Sequence, residues 1–203
     1  RFGVRWRVAT LARQAGEGAE WIAEARDLVG PALGAPGVLG AMPNLVANRL
    51  NSQYDVAGPS FTVSAEEHSG LDALDVAVRS LSIGDIDAAM VGAVDLSCDP
   101  AHEAALDIVC GGDAPAPGDA AVMLVLKRLD DAERHGDTVH AVLADRSGEH
   151  HADLSLAFGT GRGPSPVTDL FGHAHAASGL VHVAAATVAL RHRGVSGGAP
   201  LLA

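Results

Sequence analysis

Apolar residues recur at three- and four-residue intervals in four stretches of the chain and run almost uninterrupted in two others, so the pattern predicts helices and strands together. The helical stretches are Glu20 to Val29, carried by Trp21, Ile22, Ala25, Leu28 and Val29; Ala41 to Leu50, with Pro43 in its first turn; the run carried by Leu71, Leu74, Val78 and Leu81; and Ala174 to Leu190, whose Ala177, Leu180, Val181, Ala184 and Val188 face reads as core. Ala88 to Val94 and Ala120 to Leu126 read as strands covered on both faces. Phe61-Thr62-Val63, Val139 to Leu143 and Leu154 to Phe158 are shorter strand candidates, and the Gly- and Pro-rich stretch Gly34 to Gly40 reads as loop. Strands alternating with helices indicate a layered α/β fold.

The stretch from Gly58 to Leu81 joins a Gly58-Pro59 turn, the Phe61-Thr62-Val63 strand, a polar elbow at Glu66-Glu67-His68 and an amphipathic helix without a spacer. Unpaired N–H groups and the helix dipole favour negative charge at such an elbow. Its carboxylates have two readings: they cap the first helical turn, or the elbow is built to hold a reacting group.

Composition narrows the partners. The 203 residues suffice for one domain with a substantial core, and 48% hydrophobic content with 3% aromatics makes that core aliphatic. A net charge of −11 argues against nucleic acid, an anionic membrane surface or a broad docking face for an acidic carrier. Arg1, Arg5, Arg7 and Arg13 form the one basic cluster, either a solvated face or a handle for an acidic carrier, with Trp6 and Leu11 docking inward. The two cysteines, Cys98 and Cys110, show no zinc-like pairing and read as reduced thiols in a cytoplasmic protein. No apolar run reaches membrane-spanning length and no stretch has the pattern of a signal peptide, so neither a spanning helix nor secretion is expected. An opening Arg1 without methionine reads as a segment of a longer polypeptide.

The histidine pairs His173/His175 and His150/His151 lack metal-ligand spacing, and His182 and His192 on the last helix read as surface or partly satisfied side chains. Gly111-Gly112 and Gly159-Thr160-Gly161-Arg162-Gly163 lack the lysine of a phosphate loop and the full dinucleotide fingerprint. Neither a metal nor a cofactor is expected.

Gly58, Pro59, Thr62, Val63, Ser69, Leu71, Ala73 and Leu74 fall in register with the active-site segment of the β-ketoacyl synthase family, which this chain resembles. The resemblance continues through Gly84 to Asp95 and Gly118 to Leu129, covering about residues 40 to 145, and returns at Ala157 to Gly161 and Phe171 to Leu180. It implies a thiolase-like layered αβαβα ketosynthase fold over residues 1–203 as a single domain: an N-terminal helical and loop segment (1–40), a ketosynthase-like core (41–145) and an abbreviated second-half remnant (146–203). The segments 143–154 and 161–171 are short, the C-terminal Gly-Phe-Gly-Gly turn is missing, and the loop at 111–118 is shorter than the family's acyl gate.

The same register places Glu67 at the nucleophilic cysteine, Phe158 at one catalytic histidine, His173 at the other and Thr168 at the supporting lysine. Only His173 keeps the family's residue. A carboxylate cannot replace a thiolate in thioester exchange, because the anhydride formed would hydrolyse. The resemblance therefore implies a non-condensing, chain-length-factor-like homologue of the kind found in polyunsaturated fatty acid and iterative polyketide synthases. Its expected role is that of a structural partner, forming a homodimer or a heterodimer with an active ketosynthase, with an acyl carrier protein as a further partner. The alternative is an enzyme of altered chemistry, a malonyl-thioester decarboxylase or acyl transferase using Glu67 and His173.

Overall fold

The computed structural model describes residues 7–8, 10, 12–16, 18–30, 34–110, 115–143 and 166–192, which fall into two compact units, Arg1–Thr62 and Val63–Ala203. The strand candidate 154–158 and the residues Trp6, Leu11 and Phe158 lie outside the described set.

In the first unit, α1 spans Ala19–Val29, with Glu20 in the first turn and Arg26 in the last, each at the end where the helix dipole favours its charge. Of its predicted stripe only Ile22 is buried, while Trp21 and Leu28 are exposed. Helix α2, Ala35–Ala41, occupies what the glycines suggested was loop. Pro36 at the start supplies a preset helical φ, and the helix stops at Met42, whose extended φ −83° and ψ 113° is the conformation that a following proline imposes. That same constraint moves the next helix, predicted from Ala41, to α3 at Leu45–Tyr54. Asp55 closes α3 in the left-handed conformation, its N–H bonded to Asn51 O.

The second unit opens with an irregular segment and a single 3-10 turn, Glu66–His68, that feeds α4, Ser69–Ile83. Gly84, at φ 80°, ends α4, with Gly84 N–H bonded to Leu81 O and Asp85 N–H to Ser80 O. Strand β1 is Ala88–Leu96, α5 is Pro100–Cys110, and β2 is Asp119–Lys127. Then come α6 (Leu129–His135), α7 (Pro166–Phe171), a second 3-10 turn at His175–Ala177, and α8 (Ser178–His192).

Among the described residues the sheet has two strands, β1 and β2, paired antiparallel. In its register Ala89 faces Leu126, Val91 faces Leu124 and Ala93 faces Val122. Those side chains meet Leu74 and Ala77 of α4 and Leu180 of α8 to form the core. Burying a leucine here contributes roughly 1.5–3 kcal/mol. The opposite sheet face, with Val94, Leu96, Met123 and Val125, is exposed, so the strands are covered on one side and alternate in burial. Apolar content alone could not separate that arrangement from a sheet buried on both faces.

Two predicted strands are corrected. Phe61-Thr62-Val63 and Val139 to Leu143 have no regular structure. A strand exists only where a neighbour completes its hydrogen-bond ladder, and β propensity records fit to a half-buried surface rather than a partner. Phe61 is exposed, and Thr62 Oγ1 instead donates to Pro43 O at 2.9 Å.

Arg128 ties α4 to the sheet. Its guanidinium donates to the α4 carbonyl of Leu81 (3.1 Å), to Ile86 O (2.7 Å), to Asp87 Oδ1 (2.9 Å) and to Asp131 Oδ2 (2.5 Å).

Candidate functional site

The second unit contains the same elbow twice. Ala65-Glu66-Glu67-His68-Ser69-Gly70-Leu71 and Ala174-His175-Ala176-Ala177-Ser178-Gly179-Leu180 each form a 3-10 turn that runs into a long helix. In each, the alanine N–H donates to the serine hydroxyl at 2.9 Å. In each, the residue after the alanine has positive φ: 52° at Glu66 and 35° at His175. Such a conformation in a residue with a Cβ costs on the order of 1–3 kcal/mol and persists only where the surroundings fix it. The repeated Ala-x-x-x-Ser-Gly-Leu spelling is the sequence signal that a search for internal repeats finds.

The two elbows pack together, because Gly70 and Gly179 let each helix start close against the other. Glu67 is half-buried in the first turn, and Glu66 and His68 are exposed. His173 immediately precedes the second elbow and is 1% exposed. Its backbone forms a parallel bridge to Pro117: His173 N–H bonds to Ala116 O at 2.8 Å, and Gly118 N–H to His173 O at 3.0 Å. Gly118 and Gly172 face each other there, and a Cβ on Gly172 would stand 2.6 Å from Pro117 O.

Thr168, on α7, is buried; its carbonyl accepts Gly172 N–H at 2.8 Å, and its Oγ1 has no hydrogen-bond partner among the described residues. Thus Glu67 lies on one elbow, and His173 and Thr168 lead into the other.

Residues not singled out as chemistry from sequence complete the surroundings. Asp95, near the end of β1, places Oδ2 3.5 Å from His175 Nδ1. The same oxygen accepts Ala176 N–H at 3.3 Å, and Ser97 Oγ donates to Asp95 Oδ1 at 3.0 Å. The His175 ring lies edge-on to His102 at 5.6 Å and to His173 at 6.4 Å between centroids. A polar residue breaking an apolar strand was the available signal for Asp95.

Of its two readings, His182 takes that of a hydrogen-bonded side chain rather than a surface one. It is 3% exposed, with Nδ1 2.8 Å from Ser178 O one turn earlier, so its own helix satisfies the polar edge that would otherwise forbid burial. Among the described residues no group of three or more His, Cys, Asp and Glu side chains is arranged to hold a metal ion, and no helix is long and apolar enough to cross a membrane.

Residues 10–109 match the family described as Beta-ketoacyl synthase, N-terminal domain. The highly reducing polyketide synthase ntnH of Nectria sp. is 37% identical over 156 residues, 69% of this chain and 6% of that protein. The corresponding enzyme cla2 of Cladosporium cladosporioides is 36% identical over 121 residues, 52% of this chain and 5% of that one. The chain thus spans about one-twentieth of the length of these relatives. Among solved structures, the oxazolomycin ketosynthase domain OzmH KS7 of Streptomyces albus JA3453 superposes with a TM-score of 0.60 at 23% identity, covering 79% of this chain and 42% of that one. A type II polyketide synthase ketosynthase, AntDE in complex with its acyl carrier protein AntF, gives a TM-score of 0.60 at 15% identity over 79% of this chain and 57% of that one.

The chain is a β-ketoacyl synthase superfamily domain with polyketide synthase homologues. Its fold is the thiolase-like ketosynthase fold, of which it covers the N-terminal part.

Proposed function

We propose that this domain is a non-condensing, chain-length-factor-like ketosynthase homologue that serves as a structural partner in a polyketide or fatty acid synthase of the cytoplasm. The observation that carries the reading is Glu67, a carboxylate in the 3-10 turn that feeds α4, at the position where the resembled enzymes hold a thiolate. Thr168 at the lysine position and Phe158 at a histidine position support it. A negative side chain there repels a malonyl carboxylate and a developing enolate. The segment Phe61 to Val63, without regular structure or a pairing strand among the described residues and with Phe61 exposed, leaves backbone groups open to pairing with an active ketosynthase or a second copy.

The test mixes the purified chain with an active ketosynthase and with malonyl carrier protein. Expected are a stable dimer by light scattering and no decarboxylation or condensation by the chain alone. A monomer at every concentration with no affinity for a ketosynthase overturns the reading. Malonyl turnover that disappears in Glu67→Gln or His173→Gln replaces it with the decarboxylase or acyl transferase alternative.

A further inference from the structure

The side chains around the second elbow have the parts of a general-base site that does not involve Glu67. His175 presents Nδ1 to Asp95 Oδ2 at 3.5 Å, which leaves Nε2 as the nitrogen available to a reacting molecule. The carboxylate is fixed by two donors, Ser97 Oγ on one oxygen and Ala176 N–H on the other. The rings of His102 and His173 lie edge-on to the imidazole, at 5.6 Å and 6.4 Å between centroids. With 28% of the His175 side chain and 24% of the Asp95 side chain exposed, the pair is shielded yet open to a small substrate. A carboxylate that orients one imidazole nitrogen so that the other can take a proton is the arrangement general-base catalysis needs, and such contacts are commonly long before substrate binds.

We propose that Asp95 and His175 form a general-base dyad that hydrolyses acyl thioesters, with His175 the catalytic residue and Asp95 its positioning residue. The choice of thioester, rather than another acyl compound, rests on the ketosynthase-like role proposed above; the dyad itself does not. In the reaction His175 Nε2 takes a proton from water as the water oxygen bonds to the thioester carbonyl carbon. The tetrahedral intermediate collapses with cleavage of the C–S bond, and the imidazolium returns the proton to the departing thiolate. The products are a carboxylic acid and a thiol, with no change of oxidation state. Asp95 holds the Nδ1–H tautomer and stabilises the imidazolium.

The experiment measures hydrolysis of p-nitrophenyl acetate and of S-acetyl-N-acetylcysteamine by the purified 203-residue chain, its His175→Gln and Asp95→Asn variants, and buffer. The expected result is turnover of both substrates above buffer, its loss to the buffer rate in His175→Gln, and a fall of roughly 100-fold in kcat at unchanged KM in Asp95→Asn. Imidazole nitrogen NMR gives a second readout: the His175 ring is expected as the Nδ1–H tautomer in the wild type and as a mixture in folded Asp95→Asn. A buffer-level rate on both substrates, or a His175→Gln variant as fast as the wild type, overturns the dyad and leaves the structural-partner reading standing. An unchanged tautomer in folded Asp95→Asn also overturns it. Turnover of the ester but not the thioester supports the dyad and rejects the thioester substrate taken from the ketosynthase-like reading.

Discussion

Gly70 lies against Leu180 so closely that a Cβ on the glycine would stand 3.0 Å from the leucine Cγ, and the relationship is reciprocal, since a Cβ on Gly179 would strike both Leu71 methyls at 2.9 Å. This mutual fit brings the two elbows, and with them Glu67 and the residues around His175, into one neighbourhood. Gly70→Ala and Gly179→Ala are each expected to destabilise the second unit by about 1–3 kcal/mol through overpacking, read as a lower urea midpoint. Gly40→Ala, in a helix with nothing within 4 Å of the added carbon, is expected to be neutral or stabilising by roughly 0.5–1 kcal/mol. Equal losses at all three positions would reject close packing as the reason for Gly70 and Gly179.

Acid sensitivity is expected at Asp131. Burial pushes its carboxyl up, but hydrogen bonds from Arg128 and Arg134, helped by their charges, outweigh burial and hold it below the usual range. A depressed carboxyl contributes stability that is fully present above the unfolded aspartate value near 3.9 and is lost as pH falls through the lower folded value. Melting curves from pH 7 to pH 2 are expected to show an acid limb that becomes shallower in Asp131→Asn, alongside a lower melting temperature at pH 7. An unchanged acid limb removes Asp131 from the account.

The Cys98 thiol is exposed but poorly poised for reaction. Desolvation pushes it up, and the Asp119 carboxylate pushes it up further. Iodoacetamide at pH 8 is expected to alkylate Cys98 several-fold more slowly than a free cysteine peptide, and Asp119→Asn to narrow the gap, with the modified residue located by peptide mass spectrometry. Alkylation at the peptide's rate contradicts this electrostatic picture.

The bridge beside His173 depends on the absence of a side chain at position 118. A Cβ on Gly118 would stand 2.9 Å from Gly172 Cα, so Gly118→Ala is expected to part the backbones and release the Gly118 N–H to His173 O bond. Hydrogen exchange at Gly118 and His173 amides should accelerate by more than tenfold. Unchanged protection of both amides shows that the bridge does not need the glycine.

Legibility differed by residue. Leu71, Leu74, Val78 and Leu81 announced α4 because an amphipathic period is a local property of the chain. Met42 and Pro43 could have been read as a boundary, since the conformation of a residue before proline is also local. Phe61 to Val63 could not be read safely, because strandhood is decided by a partner that the residues themselves do not name. Asp95 and His175, eighty positions apart, were legible separately and not as a pair.

The sequence by itself determined the helix periods, the aliphatic core and the α/β class, each a matter of residue type and spacing. Only the tertiary structure decided that one face of the β1–β2 sheet is exposed, that His182 is buried, that the elbow occurs twice in mutual contact, and that Asp95 meets His175. Those facts depend on distances between residues far apart in the chain, which chain closure and packing set and local preference does not.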